Sequence, residues 1–433
     1  MNSKMFLTAL TAMAGATAMA AVPVVSGTTM QQTGNSVVIT YNLTDAPAIV
    51  TLDIQTNSEA GVWTSIGGEN IQNIALGSDV FKEVEVKDSY TIRWRLDKSW
   101  SGHKIADGGV RAVVTAWALD NPPDYAVVDM TKTNSIAYYP SAEFLPGGLL
   151  GNPAYRTSSL VFRRIHATNV PWTMGSIFEK GRFSNETAHT VTMDHDYYMG
   201  VFEVTQAQYA LMTGGSTPSY FKTDGAMRPV ESITYVNIRQ KAAEIAPEPN
   251  SAIDKLRKLT KVMTLELPSE AEWEFACRAG NGEGRWGNGA PYLGIEVDPN
   301  QPDRNHYNGG MVIVRDETNV VVSTTEPTAD CTPEHGTAIV GSYPPNAWGI
   351  YDMHGNVAEW CIDQYKDVIT DNADGHAVTG GGNRTVRGGW WKTKNNPTTI
   401  TPAYARAAFR QGIGYAYSDK TIGFRLVLPI GTK

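Results

Sequence analysis

The first third of the chain alternates apolar and polar residues in short runs. The runs "SVVITYNL" (36–43), "AIVTLDIQT" (48–56) and "YTIRWRL" (90–96) are rich in Val, Ile, Thr and aromatic residues. Alternation with this period is typical of half-buried β-strands, and turn-forming clusters separate the runs. We therefore predict an all-β sandwich of the immunoglobulin or fibronectin type III kind over residues 22–145.

The pattern changes to mixed helix and loop in the second half. The segment "TQAQYALMTG" (205–214) predicts a short helix, and "SITYVNIRQKAAEIA" (232–246) predicts another. In "LPSEAEWEFACRAG" (267–280), Ser269 and Glu272 have the spacing of a capping box. More than a hundred loop-rich residues follow this third helix, which is unusual in a compact domain unless the loops carry function or bind ligands.

A segment rich in Pro and Gly separates the two halves. It lies within "YPSAEFLPGGLLGNPAYRT" (139–157), and its composition is that of a connecting loop. We predict a linker over 146–157 and a second domain over 158–430.

The N-terminus has the features of a secretory signal. Lys4 precedes the apolar run "MFLTALTAMAGATAMA", which ends in small residues. This pattern predicts a signal peptide over residues 1–20; a short membrane anchor is the alternative. We expect the mature chain to be secreted, periplasmic or at the cell surface, with no integral membrane segment.

Charge and cysteine content narrow the classes of partner and chemistry. The formal net charge is −8 with no basic run, which argues against nucleic acid as a partner. Cys277, Cys331 and Cys361 are the three cysteines. They could form one disulfide and one free thiol, or remain three unpaired buried thiols.

Seven stretches in the second half together resemble the formylglycine-generating enzyme family, also called the sulfatase-modifying factor domain. They are "WTMGS" (172–176), "YYMGVFEVTQAQY" (197–209), "RPVESITY" (228–235), "LPSEAEWEFACRAG" (267–280), "GSYPPNAWGIYDMHGNVAEWC" (341–361), "RTVRGGWW" (384–391) and "IGFRLV" (422–427). The resemblance covers about residues 158–430 and implies an α+β, C-type-lectin-like fold. It implies nothing about residues 22–145.

The turn "YDMHGNVAEW" (351–360) offers oxygen ligands of the kind that Ca²⁺ prefers. The resemblance implies structural calcium at the matching positions Asp352, Gly355, Val357 and Glu359. The alternative is that the two carboxylates pair with arginine or with backbone N–H groups. The nearest approach to a transition-metal ligand set is "HTVTMDH" (189–195), which we interpret as strand and turn without a metal.

The sequence lacks the two cysteines that bind copper in this family. In the family, two cysteines bind Cu(I), and the first follows the "RGG" turn. Here that position is Thr393, and no cysteine occurs after Cys361. Because a hydroxyl is a poor ligand for this soft ion, we do not expect copper and assign no catalytic residue.

Side chains suited to ligand binding lie around the same "RGG" turn. Aromatic side chains with a few directed polar groups are typical of a ligand cleft. The candidate cleft residues are Arg387, Trp390, Trp391, Lys392, Thr393, Asn395, Asn396, Tyr404, Arg406 and Arg410. We expect Trp348, Trp360 and Arg425 to be core residues instead.

The leading functional hypothesis is an exported, calcium-stabilised module that binds a peptide or a glycan and lacks oxidase activity. One alternative is a tailoring enzyme of the formylglycine-generating or non-haem metal oxidase class. The other is a structural surface protein.

Overall fold

The computed structural model describes residues 22–58, 60–105, 108–177, 182–239, 246–280, 312–315, 321–325, 336–369, 372–391 and 403–430. Its N-terminal strands are β1 (Val24–Thr33), β2 (Ser36–Thr44), β3 (Ala48–Asn57), β4 (Trp63–Ser65), β5 (Lys82–Val84), β6 (Tyr90–Arg95) and β7 (Val110–Trp117). No helix within the described ranges is long and apolar enough to cross a membrane.

These strands form two antiparallel sheets that share one core. One sheet has the order β1-β2-β6, and in the other β3 pairs with β4, β5 and β7. Alternate residues point into the core, such as Val37 and Ile39 from β2, Ile92 and Trp94 from β6, and Leu52 from β3. The predicted alternation is confirmed in β2 and β6, whereas β3 is buried at each of its first five positions. The immunoglobulin or fibronectin type III subtype stays a prediction.

A five-stranded antiparallel sheet moves the predicted domain boundary. The strands that follow in the chain are β8 (Tyr125–Asp129), β9 (Ile136–Tyr139), β10 (Ser159–Ile165), β11 (Pro171–Met174), β12 (His189–Thr192), β13 (Tyr197–Gly200), β14 (Val312–Arg315), β15 (Val321–Thr325), β16 (Ala358–Gln364), β17 (Arg384–Arg387), β18 (Arg410–Ile413), β19 (Ile422–Gly423) and β20 (Val427–Pro429). The sheet has the order β20-β13-β10-β8-β9. Strands β8 and β9 therefore belong with the second half, although we predicted the boundary after residue 145.

The predicted linker 146–157 is itself packed. Asn152 caps a short 3₁₀ turn, Pro153–Arg156, by accepting a hydrogen bond from the Ala154 N–H. Tyr155 is buried, and its hydroxyl donates to the Pro146 carbonyl. This segment connects β9 to β10 inside one sheet and is not a free spacer.

A second sheet, of order β18-β17-β16-β19, carries the motifs that resemble the family. Strands β16, β17 and β18 are antiparallel, whereas β19 pairs parallel to β16. Strands β11 and β12 pair with each other, as do β14 and β15.

The helices are short. They are α1 (Leu96–Ser99), α2 (Gln206–Thr213), α3 (Tyr235–Ile238), α4 (Ala252–Thr260) and α5 (Glu270–Arg278). Helices α2 to α5 each begin after a Ser or Thr that caps the helix. Thr205 and Gly214 cap the two ends of α2, and the Ser269–Glu272 capping box of α5 is present. The helix predicted over 232–246 is only the single turn α3 in its described part.

All nine residues of α5 are buried, not just one apolar face. The helix contacts β16 and β17, so its carboxylates lie inside the protein. Buried carboxylates need partners, and these partners define the interior of the candidate site.

Candidate functional site

The turn after β17 requires its two glycines. Gly388 and Gly389 have φ values of 92° and 69°. A Cβ on Gly389 would lie 2.7 Å from the Tyr404 carbonyl oxygen. The Gly355 N–H donates to the Gly388 carbonyl at 2.7 Å, so this turn is bonded to the segment in which we predicted calcium.

Arg387 and Arg410 face inward rather than into a cleft. Arg387 donates to Glu270 Oε1 and to Glu274 Oε2, both at 2.8 Å. Arg410 holds both oxygens of Glu270, at 2.6 and 2.8 Å. Burial alone would raise the pKa of Glu270, but the two arginines lower it to about 2. The expected role of these arginines as ligand donors is therefore wrong, because their guanidinium groups are already neutralised inside the fold.

Arg406 departs from expectation for the same reason. It is 3% exposed, and its Nη1 and Nη2 donate to the two oxygens of Glu186 at 2.7 and 2.5 Å. Such a bidentate pair is an internal clamp. Arg425 and Trp360, which we expected in the core, are both fully buried.

The two tryptophans after the glycines have different environments. Trp391 is 6% exposed, and its Nε1 donates to the Lys420 carbonyl at 3.1 Å. Trp391 is therefore a core residue, and the prediction that it lines a cleft is wrong. Trp390 is half-buried and stacks on Tyr404, with ring centroids 5.7 Å apart. Tyr404 is 39% exposed, so this pair forms an accessible aromatic surface.

A cavity of about 590 Å³ opens beside Trp390. Its wall also carries Tyr417, which is 52% exposed, and the polar side chains of Gln411, Asp419 and Thr421. Sequence reasoning named Trp390 but missed Gln411, Asp419 and Thr421, which belong to no distinctive motif. The other predicted cleft residues, Lys392, Thr393, Asn395 and Asn396, lie outside the described residues.

The segment 352–359 fits calcium at one of its two carboxylates. Asp352 Oδ2 accepts from the Gly341 N–H at 2.7 Å, while Oδ1 is buried without a hydrogen-bond partner. Burial raises the pKa of Asp352 to about 6. A cation could satisfy the orphaned oxygen. Beside it, Glu203 is also buried and accepts from the Val357 N–H at 3.1 Å.

Glu359 does not fit calcium in this arrangement. Arg425 Nε donates to its Oε2 and Nη2 to its Oε1, both at 2.6 Å, and Trp273 Nε1 donates to Oε2 at 2.7 Å. Both oxygens are therefore engaged, which is the arginine pairing left open as the alternative. For the other two predicted ligands, Gly355 and Val357, the described contacts are those of the backbone N–H groups, which donate to the Gly388 carbonyl and to Glu203.

The two described cysteines are packing residues. Cys277 and Cys361 are free thiols that are fully buried. Burial raises the pKa of both thiols, so each stays protonated and poorly nucleophilic. Cys331 lies outside the described residues.

A second polar cluster joins residues that are far apart in sequence. Asp194, His195 and His376 have potential ligand atoms that all lie within 4.8 Å of one another. The two imidazole rings stack, with centroids 5.1 Å apart. The sequence pattern pointed only at 189–195. Nothing in it indicated that His376, 181 positions after His195, would complete the set.

The described second half is thus a mixed domain of helices and sheets, with a buried arginine–carboxylate network beneath a glycine turn. The match to the sulfatase-modifying factor enzyme 1-like domain covers residues 164–430. The chain belongs to this family, as its motifs indicated.

Individual relatives cover smaller parts. A serine/threonine-protein kinase pkn1 of Chlamydia caviae is 27% identical over 252 residues, which are 52% of this chain and 34% of the kinase. A formylglycine-generating enzyme of Thermomonospora curvata is 35% identical over 114 residues, 26% of this chain and 29% of the enzyme. The chain thus spans about a third of the length of these curated relatives. Among solved structures, PvdO from Pseudomonas aeruginosa has 23% identity and a TM-score of 0.46, covering 62% of this chain and 94% of PvdO.

Proposed function

We propose that this chain is an exported binding module of the sulfatase-modifying factor family, without copper oxidase activity. Its ligand is a peptide or a glycan held in the cavity beside Trp390. The observation that carries the proposal is that two aromatic residues, Trp390 and Tyr417, line one cavity of about 590 Å³ together with polar residues. This is the composition expected of a small-ligand or peptide cleft.

The lack of copper ligands supports a binding role. Thr393 stands where the family has its first copper cysteine, and the sequence has no cysteine after Cys361. The thiols of Cys277 and Cys361 are buried and protonated, so neither is a substitute. Since the match covers only 34% of the chlamydial kinase, kinase chemistry is not part of the proposal.

Calcium is proposed as a stabilising ion with Asp352 as its carboxylate ligand, on the strength of the orphaned Oδ1. Glu359 is left out because Arg425 already occupies it. We further propose that the N-terminal sheets are an immunoglobulin- or fibronectin-like spacer, and that residues 1–20 direct export.

The cleft is tested by ligand screening followed by substitution. Labelled full-length protein is screened on a glycan array and a peptide library, and the Kd of the strongest ligand is measured by calorimetry. Trp390→Ala and Tyr417→Ala should each weaken binding by about tenfold or more. Trp63→Ala is the matched control, because Trp63 is a half-buried tryptophan of the N-terminal sheets.

Two results would contradict the proposal. One is binding that neither cleft substitution weakens. The other is conversion of a cysteine-containing sulfatase peptide to formylglycine when the protein is supplied with O₂ and Cu(I).

A further inference from the structure

We propose that Asp194, His195 and His376 form a binding site for a divalent transition metal of the Zn²⁺ class. The site is separate from the Trp390 cavity and from Asp352. It rests on the separations of the side-chain atoms, on the bonds that fix three chain segments, and on an outer carboxylate that orients one histidine.

The donor set selects the kind of metal. Two imidazoles and one carboxylate suit Zn²⁺ and its neighbours, whereas Ca²⁺ and Mg²⁺ prefer oxygen ligands alone. His376 Nε2 lies 3.3 Å from Asp194 Oδ2. Two ligands of a tetrahedral zinc ion, each about 2.1 Å from the metal, are roughly 3.4 Å apart. This pair therefore already has the spacing of neighbouring ligands.

His195 is the third ligand through its Nδ1. This atom lies 2.6 Å from Asp194 Oδ1, a hydrogen-bond distance. When a metal replaces the proton of this hydrogen bond, the two atoms need to separate by less than about 1 Å to reach ligand spacing. Asp194 is largely exposed, so its side chain can make this adjustment.

Glu272 is the outer acceptor that orients His195. Its Oε1 lies 3.3 Å from His195 Nε2, on the side of the ring away from the metal ligand Nδ1. Its Oε2 accepts from the Ser269 N–H at 2.6 Å, so the capping box of α5 fixes the carboxylate. A carboxylate behind a metal-bound histidine holds the ring and its tautomer in place.

The backbone brings the ligands together before any metal arrives. The Thr192 N–H donates to the Ala373 carbonyl at 2.7 Å, which ties β12 to the loop that carries His376. Ser269 Oγ donates to the Gly375 carbonyl at 2.8 Å, which ties that loop to α5. A Cβ on Gly375 would lie 2.6 Å from Met193 Cγ, so a glycine is needed for this approach.

The site has room for further ligands. The side chains of Asp194 and His376 are 62% and 59% exposed, so water can complete the coordination. A cavity of about 420 Å³ adjoins all three ligands and Glu272. Three protein ligands with an open position are the arrangement that zinc adopts where it contacts solvent or substrate.

The experiment uses the full chain with Zn²⁺ as the probe, in buffer with millimolar Ca²⁺ to saturate oxygen-only sites. Bound zinc is counted after dialysis by mass spectrometry, and the affinity is measured by competition with a chromophoric chelator. We expect one Zn²⁺ per chain, and a loss of about tenfold or more in affinity for Asp194→Ala, His195→Ala and His376→Ala. Co²⁺ should give the visible absorption of a low-symmetry, near-tetrahedral site.

Two further variants distinguish a specific metal site from nonspecific binding of zinc by exposed histidines and carboxylates. His166→Ala is the matched control, because His166 is similarly exposed and lies near two carboxylates, Asp124 and Asp196. It should keep the wild-type affinity. Glu272→Gln retains a capping residue for α5 but weakens the acceptor behind His195, so zinc affinity should fall about tenfold while the circular dichroism spectrum is unchanged.

The proposal is overturned if the wild-type chain retains no zinc. It is also overturned if His376→Ala binds zinc as the wild type does, or if His166→Ala loses as much affinity as the ligand variants.

Discussion

Replacing Arg387 with methionine tests whether the arginine before the glycine turn holds the fold together. Arg387 is 1% exposed. Besides its bonds to Glu270 and Glu274, its Nη1 donates to the carbonyls of Ala407 and Phe409 at 2.8 and 3.2 Å. Methionine fills much of the volume but removes all four bonds. The substitution therefore isolates the electrostatic and hydrogen-bonding contribution.

The structure sets the magnitude of the effect. Removing one partner of a buried ion pair costs about 3–5 kcal/mol when the other charge is left unpaired. Here Glu270 keeps Arg410, and Glu274 keeps Arg278 at 2.6 Å. We therefore expect the low end of the range, about 3 kcal/mol. For a domain of this size that corresponds to a fall in Tm of roughly 6–12 °C.

The assay is equilibrium unfolding in urea, followed by tryptophan fluorescence and circular dichroism, together with thermal unfolding. Arg387→Lys keeps the charge but loses the planar fork, so its cost should fall between wild type and Arg387→Met. Lys132→Ala is the control, since Lys132 is 70% exposed in its pair with Asp129 and such pairs contribute less than about 1 kcal/mol. An Arg387→Met cost no larger than that of Lys132→Ala would refute the reasoning.

Three further predictions concern the same interior. Trp391→Ala should lower the free energy of unfolding by about 3–5 kcal/mol, and half-buried Trp390→Ala by less than half of that, as measured in urea. Because the pKa of Glu270 is lowered to about 2, its contribution to stability is present above about pH 4.5 and is lost as the pH falls towards 2. The loss approaches about 3 kcal/mol, and a urea series over this range should show a shallower slope for Glu270→Gln. Ser269→Ala should cost about 1–2 kcal/mol by removing the N-cap of α5, and it should also weaken zinc binding because Ser269 holds the loop at Gly375.

The sequence predicted the strands and helices that are determined by residues a few positions apart. The alternation in residues 36–43, the helix that begins after Thr205 and the capping box at Ser269 each depend on neighbours a few positions away, and the structure contains all of them. The domain boundary depends on pairing between β8 and β10, more than thirty positions apart in the register Val128 to Leu160. A segment rich in Pro and Gly gives no information about such pairing.

The candidate site also combines features that depend on local sequence with features that depend on long-range contacts. Its glycine turn and Trp390 could be identified from a motif. Whether each arginine side chain is buried or exposed could not be predicted, because an arginine that lines a cleft and one that enters the core look the same in the sequence. Arg387, Arg406 and Arg410 all find carboxylates on other elements, two of them on α5. The clue was in the sequence of α5, where Glu270 and Glu274 are one helical turn apart. Such carboxylates need cationic partners if they are buried.

The inward direction of these arginines limits where recognition can occur. A guanidinium that already neutralises a buried carboxylate cannot turn to a ligand without leaving that carboxylate unpaired, at a cost of about 3–5 kcal/mol. An anionic ligand would have to exceed this cost before it gained any affinity. Trp390, Tyr404 and Tyr417 each present ring surface that is only partly covered. Ligand binding in this family member should therefore depend on aromatic contact and on hydrogen bonds from the polar side chains of the cavity wall, Asp419 among them, and not on the buried arginines.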